Sequence, residues 1–284
     1  MKVWLNGEIV DGRDAMIPVT DHGLLYGDGV FEGIRVYAGR VFKLAIHLER
    51  LSVSAHAIGL ELPYSVDQIA EIVTDTVRAT GLSDAYVRLI VTRGDGALGV
   101  DPTTCGEPRV ICIVEAVELY PENVLERGLD LVTVSMRRAP ADVLDPRVKS
   151  LNYLTSALAK REARLRGADE ALLLNTQGRV AEAAVANVFA WRHGVLRTPP
   201  AVDGALEGVT RGTILELAGQ LGLPCSVESL GRIDLLGADE VFLTGTGARV
   251  VSVRSVDGVE IGSGRPGPVT AKLTAAFRDL VASG

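Results

Sequence analysis

The sequence predicts a mixed α/β (α+β) protein with two domains. Short runs rich in Val, Leu and Phe, typical of strands, occur along all 284 residues, between segments whose apolar residues recur at helical spacing. Strands and helices do not alternate with the regular rhythm of a doubly wound parallel sheet. The stretch 116–128, which holds Tyr120-Pro121, interrupts both patterns. We therefore expect a small N-terminal α/β domain over 1–117, an interdomain loop over 118–128 and a larger C-terminal domain over 129–284.

Two hairpins open the N-terminal domain. Asn6-Gly7 turns the first, because both residues readily adopt the positive φ angles of such a turn, and Ala38-Gly39 turns the second. Two helices follow, and the second carries an apolar stripe that ends near Gly81. The strands predicted for this domain cover 2–5, 8–11, 31–37, 40–43, 85–92 and 109–115.

The C-terminal domain begins with a strand and an irregular, proline-bearing loop that runs through Pro146. One predicted helix puts Ile214, Leu217 and Leu221 on a single face and ends at Gly222. The predicted strands cover 129–134, 170–174, 187–191 and 239–244, and the predicted helices cover 152–166, 210–221 and 269–281.

The composition argues against several classes of function. The net charge is −7 and the basic residues form no cluster, whereas a surface that binds nucleic acid is basic. The N-terminus becomes polar too early for a signal peptide, and no apolar run approaches the ~18–20 residues of a membrane helix. The three cysteines form no Cys-x-x-Cys pair. We expect a cytoplasmic enzyme that binds neither nucleic acid nor a membrane.

Three familiar motifs are absent or incomplete. The pattern GxGxxG occurs at 94–99 and 262–267, but the first runs into Val100-Asp101-Pro102 where a dinucleotide needs a helix N-terminus. The second is followed by a single helix, which leaves no room for a ribose-binding acid. The four histidines show no HExxH spacing, so we expect no metal site. A GxSxG serine-hydrolase motif is also missing.

Six short blocks with potential chemistry follow one another along nearly the whole chain. In order they are Tyr26-Gly27-Asp28-Gly29-Val30-Phe31-Glu32-Gly33-Ile34-Arg35, His47-Leu48-Glu49-Arg50-Leu51, Lys149-Ser150-Leu151-Asn152-Tyr153-Leu154, Glu182 with Asn187-Val188-Phe189, Gly208-Val209-Thr210-Arg211 and Thr244-Gly245-Thr246-Gly247. Together they resemble the motifs of class IV, or fold-type IV, pyridoxal 5′-phosphate (PLP) aminotransferases. The resemblance implies a two-domain fold with PLP between the small and the large domain.

PLP needs a lysine amine, donors for its phosphate, an acid near its pyridine nitrogen and a hydrogen bond to its phenolic oxygen. The resemblance implies that Lys149 forms the Schiff base and later moves the substrate proton as general base and acid. It also implies that Glu182 binds the pyridine nitrogen, that Tyr153 binds the phenolic oxygen and that Leu206 packs on the ring. The phosphate contacts that it implies are Arg50, Gly208, Val209, Thr210 and Thr246. Thr210 starts a predicted helix, where backbone N–H groups and the helix dipole favour an anion.

The triplet Tyr86-Val87-Arg88 resembles branched-chain aminotransferases more than D-amino-acid aminotransferases. Strand alternation puts Tyr86 and Arg88 on one face, and the resemblance implies that they hold substrate carboxylates. It thus implies transamination between a branched-chain L-amino acid and 2-oxoglutarate, by a homodimer or higher homo-oligomer. The other substrate contacts implied are Phe31 for the apolar side chain, Tyr26 and Val100 from across a dimer interface, Tyr120 as a cover, and Thr246 with Gly247 at the α-carboxylate.

Two positions depart from the family pattern. Ala183 follows the acid where the family usually has glycine, and Gly247 follows Thr246 where branched-chain enzymes usually have alanine. Because the second position touches the turn for the α-carboxylate, substrate preference stays open. D-Amino-acid and (R)-amine aminotransferases and aminodeoxychorismate lyases share the scaffold. A non-catalytic binding protein is a further alternative, but it would be expected to lose Lys149 or Glu182, and this chain has both.

Overall fold

The computed structural model describes residues 1–116 and 120–283. Contacts within the chain define a first unit, Met1–Val117 with Val148–Asn152, and a second unit, Glu118–Arg147 with Tyr153–Gly284. The segment Val148–Asn152 thus belongs to the first unit, which differs from the continuous C-terminal domain expected from the sequence. In the predicted interdomain loop, residues 118 and 119 lie outside the described residues. The rest of that stretch is not a continuous loop, because Glu122–Arg127 forms a helix.

The first unit is an antiparallel sheet covered by helices. Its strands are β1 (Lys2–Leu5), β2 (Glu8–Asp11), β3 (Gly29–Tyr37), β4 (Arg40–Val41), β5 (Ala85–Thr92) and β6 (Arg109–Glu115), and its helices are α1 (His22–Tyr26), α2 (Leu44–Ala57) and α3 (Val66–Thr80). The strand order is β2-β1-β6-β5-β3-β4. Helix α3 begins with a capping box between Ser65 and Gln68 and ends at Gly81, as predicted, where φ is 66°.

Strands β3 and β5 have one face in the core and one face available for chemistry. Ile34 and Val87 are fully buried in the cluster that also contains Leu48 of α2 and Val73 of α3. Side chains of a strand alternate between its faces, so Phe31, one of the odd-numbered residues of β3, lies on the opposite face. The helices therefore bury one side of these strands and leave the other to the predicted site residues.

The second unit is built on a mixed sheet. Its strands are β7 (Leu129–Arg138), β8 (Glu170–Asn175), β9 (Val180–Ala183), β10 (Asn187–Arg192), β11 (Val195–Thr198), β12 (Cys225–Val227), β13 (Glu240–Gly245), β14 (Arg249–Val256) and β15 (Val259–Glu260), and its helices are α4 (Glu122–Arg127), α5 (Ala141–Leu144), α6 (Leu154–Leu165), α7 (Val209–Gln220), α8 (Arg232–Leu236) and α9 (Pro268–Ser283). The order is β12-β11-β10-β13-β14-β7-β8-β9, with β15 paired to β14. Parallel pairing joins β11 to β12 and β7 to both β14 and β8, while the other pairs are antiparallel.

The long apolar strands of the second unit were the ones that the sequence predicted. The predicted strands correspond to β7, β8, β10 and β13, and the predicted helices to α6, α7 and α9. Strand β14 was missed because Arg and Ser interrupt its apolar residues, and β9, β11, β12 and β15 are short. The Phe189 and Phe242 rings stack at 5.0 Å across β10 and β13, which fixes their register. No helix in residues 1–116 and 120–283 has both the length and the apolar character needed to cross a membrane.

Candidate functional site

Phe31, Tyr86 and Arg88 form one group on the face of β3 and β5 that is turned away from the core. The guanidinium carbon of Arg88 lies 4.5 Å from the centre of the Phe31 ring and 5.7 Å from that of the Tyr86 ring. Its Nη2 donates to the Tyr86 hydroxyl oxygen at 3.4 Å. Gly33, opposite Arg88 in the ladder, makes room, because a Cβ there would collide with the Tyr86 hydroxyl. The alternation predicted for Tyr86 and Arg88 is thus present.

Lys149 is anchored by its main chain along the edge of β3. The Phe31 N–H donates to the Lys149 carbonyl at 3.0 Å, and the Leu151 N–H donates to the Gly29 carbonyl at 2.9 Å. On its other side, the Lys149 N–H donates to Oγ of Ser54 on α2 at 3.1 Å. The half-buried side chain reaches the Phe31 group, with Nζ at 4.4 Å from the ring centre. These bonds explain why Val148–Asn152 belongs to the first unit.

Arg50 is held by a buried carboxylate. Its Nε donates to Oε1 of Glu32 and its Nη2 to Oε2, each at 2.7 Å. Nδ1 of His47 lies 2.7 Å from Oε2 of Glu32. Burial lowers the pKa of His47 despite the nearby carboxylate, so the neutral ring donates its Nδ1 proton to Glu32. Glu32 has no exposed side-chain surface, while the Arg50 side chain is 13% exposed.

The roles of Glu32, His47 and Ser54 were missed in the sequence, although one signal for Glu32 was available. Glu32 lies between Val30 and Ile34 in the alternation of β3, so a charged residue occupies the face that packs against the helices. A charge in such a position needs a partner, because an unpaired buried charge is strongly unfavourable. The identity of that partner depends on the packing of α2 and could not be read from the sequence.

Tyr26 and Val100 lie on two linked surface segments of the first unit. Asp21 caps α1, and Nε2 of the next residue, His22, donates to the Ala97 carbonyl at 2.9 Å, which joins α1 to the loop that leads to Val100. The Tyr26 ring packs edge-on against the His22 ring at 4.8 Å. In the single chain Tyr26 is 38% exposed and Val100 is 79% exposed. Their predicted contact with substrate stays a prediction.

In the second unit, Glu182 is buried and its carboxylate is bound on both oxygens. Nη2 of Arg138 donates to Oε1, while Nδ2 of Asn187 and the Leu206 N–H donate to Oε2 at 3.3 and 3.0 Å. Asn187 also donates to the Leu206 carbonyl at 2.8 Å, which ties the acid to the loop before α7. The sequence contained no signal for Arg138, the last residue of a strand far from Glu182 along the chain.

The N-terminus of α7 has the features of an anion site. Gly208 is the N-cap, and no side chain caps the helix, so its first backbone N–H groups are donors suited to a phosphate. Val209 and Thr210 in the first turn are buried. A Cβ at position 208 would collide with the side chain of Asn187 and displace this partner of Glu182. The predicted phosphate turn is therefore adjacent to the residue that holds Glu182.

Thr246 and Gly247 lie in the turn between β13 and β14. A Cβ at Gly245 would lie 3.3 Å from the Val185 carbonyl oxygen, so this turn is close to the segment between Glu182 and Asn187. On the strand that enters the turn, Oγ1 of Thr244 is buried and has no hydrogen-bond partner in the part of the chain that the structure describes.

Tyr120 and Tyr153 are the two tyrosines of the second unit with predicted roles in the site. The hydroxyl of Tyr120 donates to Oε2 of buried Glu170 at 2.8 Å, and Nζ of Lys160 donates to the same oxygen at 2.7 Å. Since the hydroxyl is used in this way, a substrate contact of Tyr120 would have to involve its ring. Tyr153 is the half-buried N-cap residue of α6, and its bond to the phenolic oxygen stays a prediction.

The departure at Ala183 is accommodated in the core. Ala183 is fully buried in the main apolar cluster of the second unit and pairs with Leu172 of β8. Its methyl group therefore fills core space, and the neighbouring Glu182 still receives all three of its hydrogen bonds.

The predicted site residues thus fall into groups within each unit. The first unit brings together Lys149, Phe31, Tyr86 and Arg88, and it pairs Arg50 with Glu32. The second unit brings together Glu182, Leu206 and the N-terminus of α7 at Gly208. Among the described residues, no group of three or more His, Cys, Asp or Glu side chains could hold a metal ion.

The first unit has a half-buried lysine and a paired arginine, and the second has an ion-paired acid and an uncapped helix N-terminus. Each is a kind of group that a phosphorylated aldehyde cofactor requires. The family model of amino-transferase class IV matches residues 29–256. The chain belongs to the class IV aminotransferase family. The family and the fold class expected from the sequence are confirmed.

Relatives in this family are similar to the chain over nearly its full length. A putative branched-chain-amino-acid aminotransferase of Methanocaldococcus jannaschii is 47% identical over 280 residues, which are 99% of this chain and 96% of that protein. The crystal structure of the Escherichia coli branched-chain amino acid aminotransferase has a TM-score of 0.95 and 38% identity, and covers 98% of this chain and 94% of that chain. The crystal structure of the T.th. branched-chain amino acid aminotransferase complexed with N-(5′-phosphopyridoxyl)-L-glutamate has a TM-score of 0.93 and 36% identity. It covers 99% of this chain and 93% of that chain. The prediction of a PLP-dependent aminotransferase is confirmed.

The buried Glu32 should make stability depend on pH in the acid range. Burial alone would raise the pKa of Glu32, but hydrogen bonds from Arg50 and His47 outweigh it and hold the pKa at about 2, below its ordinary 4.5. A carboxylate with a lowered pKa contributes stability above its unfolded-state pKa and loses it as the pH falls towards the folded-state value. The free energy of unfolding should therefore drop between pH 4.5 and about 2, and less steeply in Glu32→Gln. Urea unfolding at several pH values measures this, and equal pH slopes would contradict it.

The hydroxyl of Tyr120 is expected to stabilise the second unit without serving the substrate. Tyr120→Phe removes one of the donors to the buried Glu170 carboxylate, which should lower the free energy of unfolding by about 1.5–3 kcal/mol. The ring remains, so the KM for leucine should stay at the wild-type value. Denaturant unfolding and steady-state kinetics of the same preparation test both statements. A raised KM with unchanged stability would show that the hydroxyl contacts the substrate.

Proposed function

We propose that the protein transfers amino groups between branched-chain L-amino acids and 2-oxoglutarate, with PLP as its cofactor. The observation that carries this proposal is that the Arg88 guanidinium lies against the rings of both Phe31 and Tyr86. The amine of Lys149 lies against the same Phe31 ring. One small group thus offers a cation for a carboxylate and an apolar surface for a branched side chain. The similarity to branched-chain aminotransferases supports the proposal, and the T.th. relative has been crystallised with a phosphopyridoxyl derivative of L-glutamate.

Lys149 is the residue that holds PLP and moves the substrate proton. PLP supplies the electron sink that makes the Cα–H bond of an amino acid labile. The amine of Lys149 removes that proton as a general base and returns it as a general acid. Hydrogen bonds from Phe31 and to Ser54 fix its main chain, so the side chain that would carry the proton starts from a fixed position.

The second unit supplies the acid and part of the phosphate site. Glu182 binds the pyridine nitrogen and keeps it protonated, while Arg138, Asn187 and the Leu206 N–H prevent its carboxylate from rotating. Backbone N–H groups of Val209 and Thr210 bind the phosphate, aided by the dipole of α7. Arg50, Gly208 and Thr246 are the other phosphate contacts, Tyr153 binds the phenolic oxygen, and Leu206 packs on the ring.

The substrate is recognised at its two ends. Thr246 and Gly247 bind the α-carboxylate through their turn, and Arg88 with Tyr86 binds the side-chain carboxylate of glutamate. When the substrate is leucine, isoleucine or valine, its side chain packs on Phe31 instead. A pocket that accepts both kinds of side chain needs a cation that can lie next to an apolar group. A guanidinium can do so because it is planar and weakly hydrated.

We also infer that the protein acts in the cytoplasm as a homodimer or a higher homo-oligomer of the same chain. The linked segments around α1 and the loop at Val100 expose several large apolar side chains on one unit, and such a patch marks an interaction surface. These side chains are Leu24 (59%), Leu25 (37%), Tyr26 (38%), Leu98 (83%) and Val100 (79%). In an oligomer, Tyr26 and Val100 line the apolar part of the site of the neighbouring subunit, and Tyr120 covers it.

The covalent role of Lys149 is tested by one half-reaction. In the wild-type protein, L-leucine and L-glutamate should change the visible absorbance of bound PLP, whereas D-amino acids and (R)-amines should not. Lys149→Ala should abolish the change with every L-amino acid, because both the covalent link and the proton carrier are lost. Lys272→Ala, an exposed lysine of α9, is the control and should react as the wild type does. A Lys149→Ala protein with near wild-type rates would refute the assignment.

The role of Arg88 is tested by comparing two substrates. Arg88→Ala removes the partner of the glutamate side chain but no partner of leucine. The loss of a charged hydrogen bond costs about 1.5–3 kcal/mol, so kcat/KM for glutamate should fall roughly 10- to 150-fold while that for leucine changes little. Stopped-flow spectra with each amino acid measure this, with Arg78→Ala, an exposed arginine of α3, as control. Equal losses for both substrates would leave Arg88 a purely structural role.

A further inference from the structure

Glu32 occupies an unusual position for a carboxylate. It lies on the face of β3 that packs against α2, it is fully buried, and it accepts three hydrogen bonds of 2.7 Å. Two come from Nε and Nη2 of Arg50 and one comes from Nδ1 of His47. In the proposed function Arg50 binds phosphate, but neither Glu32 nor His47 has a role.

We infer that Glu32 is a positioning residue that sets the orientation of the Arg50 guanidinium for the phosphate of PLP. This inference rests on the proposed function, because it takes the phosphate contact of Arg50 from there. Glu32 itself touches neither cofactor nor substrate in this role. It acts only through Arg50.

The geometry of the pair supports orientation rather than simple charge balance. Bonds from Nε and Nη2 to the two carboxylate oxygens hold one edge of the planar guanidinium, which fixes both its plane and its direction. A guanidinium has five N–H donors in a rigid fork, so a carboxylate on one edge determines where the remaining donors point. A lysine at position 50 could carry the charge but could not be oriented in this way.

Stability alone does not explain why a charge lies here. Buried ion pairs contribute little on average, because desolvation offsets their attraction, and apolar residues of similar size often replace them without loss. Val30 and Ile34, the neighbours of Glu32 on the same face of β3, are apolar and fully buried. A buried carboxylate among them, with a bond to each oxygen, is more readily explained by a need to hold Arg50 in one orientation.

His47 in turn holds the Glu32 carboxylate in place. Its ring is neutral, since burial lowers its pKa, and its Nδ1–H donates to the carboxylate. His47, Arg50 and Ser54 lie three and four residues apart along α2, so they share one face of the helix. Ser54 accepts the bond from the Lys149 N–H. Glu32 therefore ties β3 to the helix face that serves both the phosphate contact and the reactive lysine.

The test compares the binding of PLP and of pyridoxal, which lacks the phosphate, to the full-length protein freed of cofactor. Glu32→Gln should weaken PLP binding at least about tenfold, the effect of a lost hydrogen bond to a charged group, and should leave pyridoxal binding within about twofold. Visible absorbance titrations give both dissociation constants without any turnover. Unchanged PLP binding, or equal weakening of both ligands, overturns the inference.

Asp28→Asn is the matched control. Asp28 is bound by Nε and Nη2 of Arg93, each at 2.9 Å, in the same side-on manner and in the same unit, but it does not contact Arg50. This variant should lose stability and keep both dissociation constants within about twofold of the wild type. If Asp28→Asn weakens PLP as much as Glu32→Gln does, the effect reports a loss of structure, and the inference fails.

A double-mutant cycle separates this inference from the proposed function. Arg50→Gln should weaken PLP but not pyridoxal, and adding Glu32→Gln to it should cause no further loss, because Glu32 acts only through Arg50. Additive losses overturn the inference. If Arg50→Gln leaves PLP binding unchanged, the phosphate contact of Arg50 and the inference both fail. If Arg50→Gln weakens PLP and Glu32→Gln does not, only the inference fails.

Glu32→Asp keeps the inference testable if Glu32→Gln does not fold. Aspartate preserves the charge but is one methylene shorter, so it cannot hold both Arg50 nitrogens in the same geometry. PLP binding should weaken by at least about threefold, with pyridoxal unaffected, because orientation is lost while charge is kept. Wild-type affinity for PLP in this variant would show that charge alone suffices and would overturn the inference.

Discussion

The pairing of Val148–Asn152 with the edge of β3 is the constraint on which the first-unit site depends. Strand β3 has β5 on one edge, and β4 followed by this segment on the other. Each face of β3 also carries a site residue: Glu32 points towards the helices, and Phe31 points towards Lys149. Since side chains alternate, a slip of one residue would turn Phe31 into the core and Glu32 away from Arg50. One register therefore determines the positions of the amine, the ring and the buried carboxylate.

In each unit, the charged residue proposed to bind the cofactor forms an ion pair with a residue of opposite charge. Arg50 is held by Glu32 in the first unit, and Glu182 is held by Arg138 in the second. A charged group with a single orientation before the ligand arrives loses less conformational entropy on binding. Preorganised charges also stabilise developing charge without rearranging during the reaction. Both ion pairs therefore do the same thing: they fix the orientation of the cofactor-binding side chain when the protein folds.

Much of the fold was predictable because periodicity is a local property. The helix at Val66–Thr80 and its end at Gly81 followed from the spacing of apolar residues, and Tyr86 and Arg88 share a face because strands alternate. The membership of Val148–Asn152 in the first unit was not predictable, since its pairing with β3 joins residues more than a hundred positions apart. The Arg138–Glu182 pair was equally hidden, because no local pattern relates the end of β7 to β9.

The motifs predicted which residue types belong to the candidate site, but only the folded structure shows which of those residues pair with one another. The motif blocks contain Glu32 and His47, yet a motif does not say which members contact one another. Alternation shows that Glu32 lies on the apolar face of β3, and physical chemistry then demands a partner for it. Only the packing of α2 on β3 identifies that partner as Arg50.

The contact of Arg88 with Phe31 links the two halves of the proposed specificity. With its guanidinium carbon 4.5 Å from the ring centre, Arg88 has an aromatic surface to rest on when no side-chain carboxylate is bound. A planar guanidinium can stack on a ring through its face and still offer its edge to a carboxylate, whereas a compact, strongly hydrated ammonium cannot do both. In the proposed function, the apolar substrate contacts the ring, and the acidic substrate contacts the edge of the guanidinium. Neither substrate then requires the cation to be buried without a partner, which is the costly state in an apolar pocket.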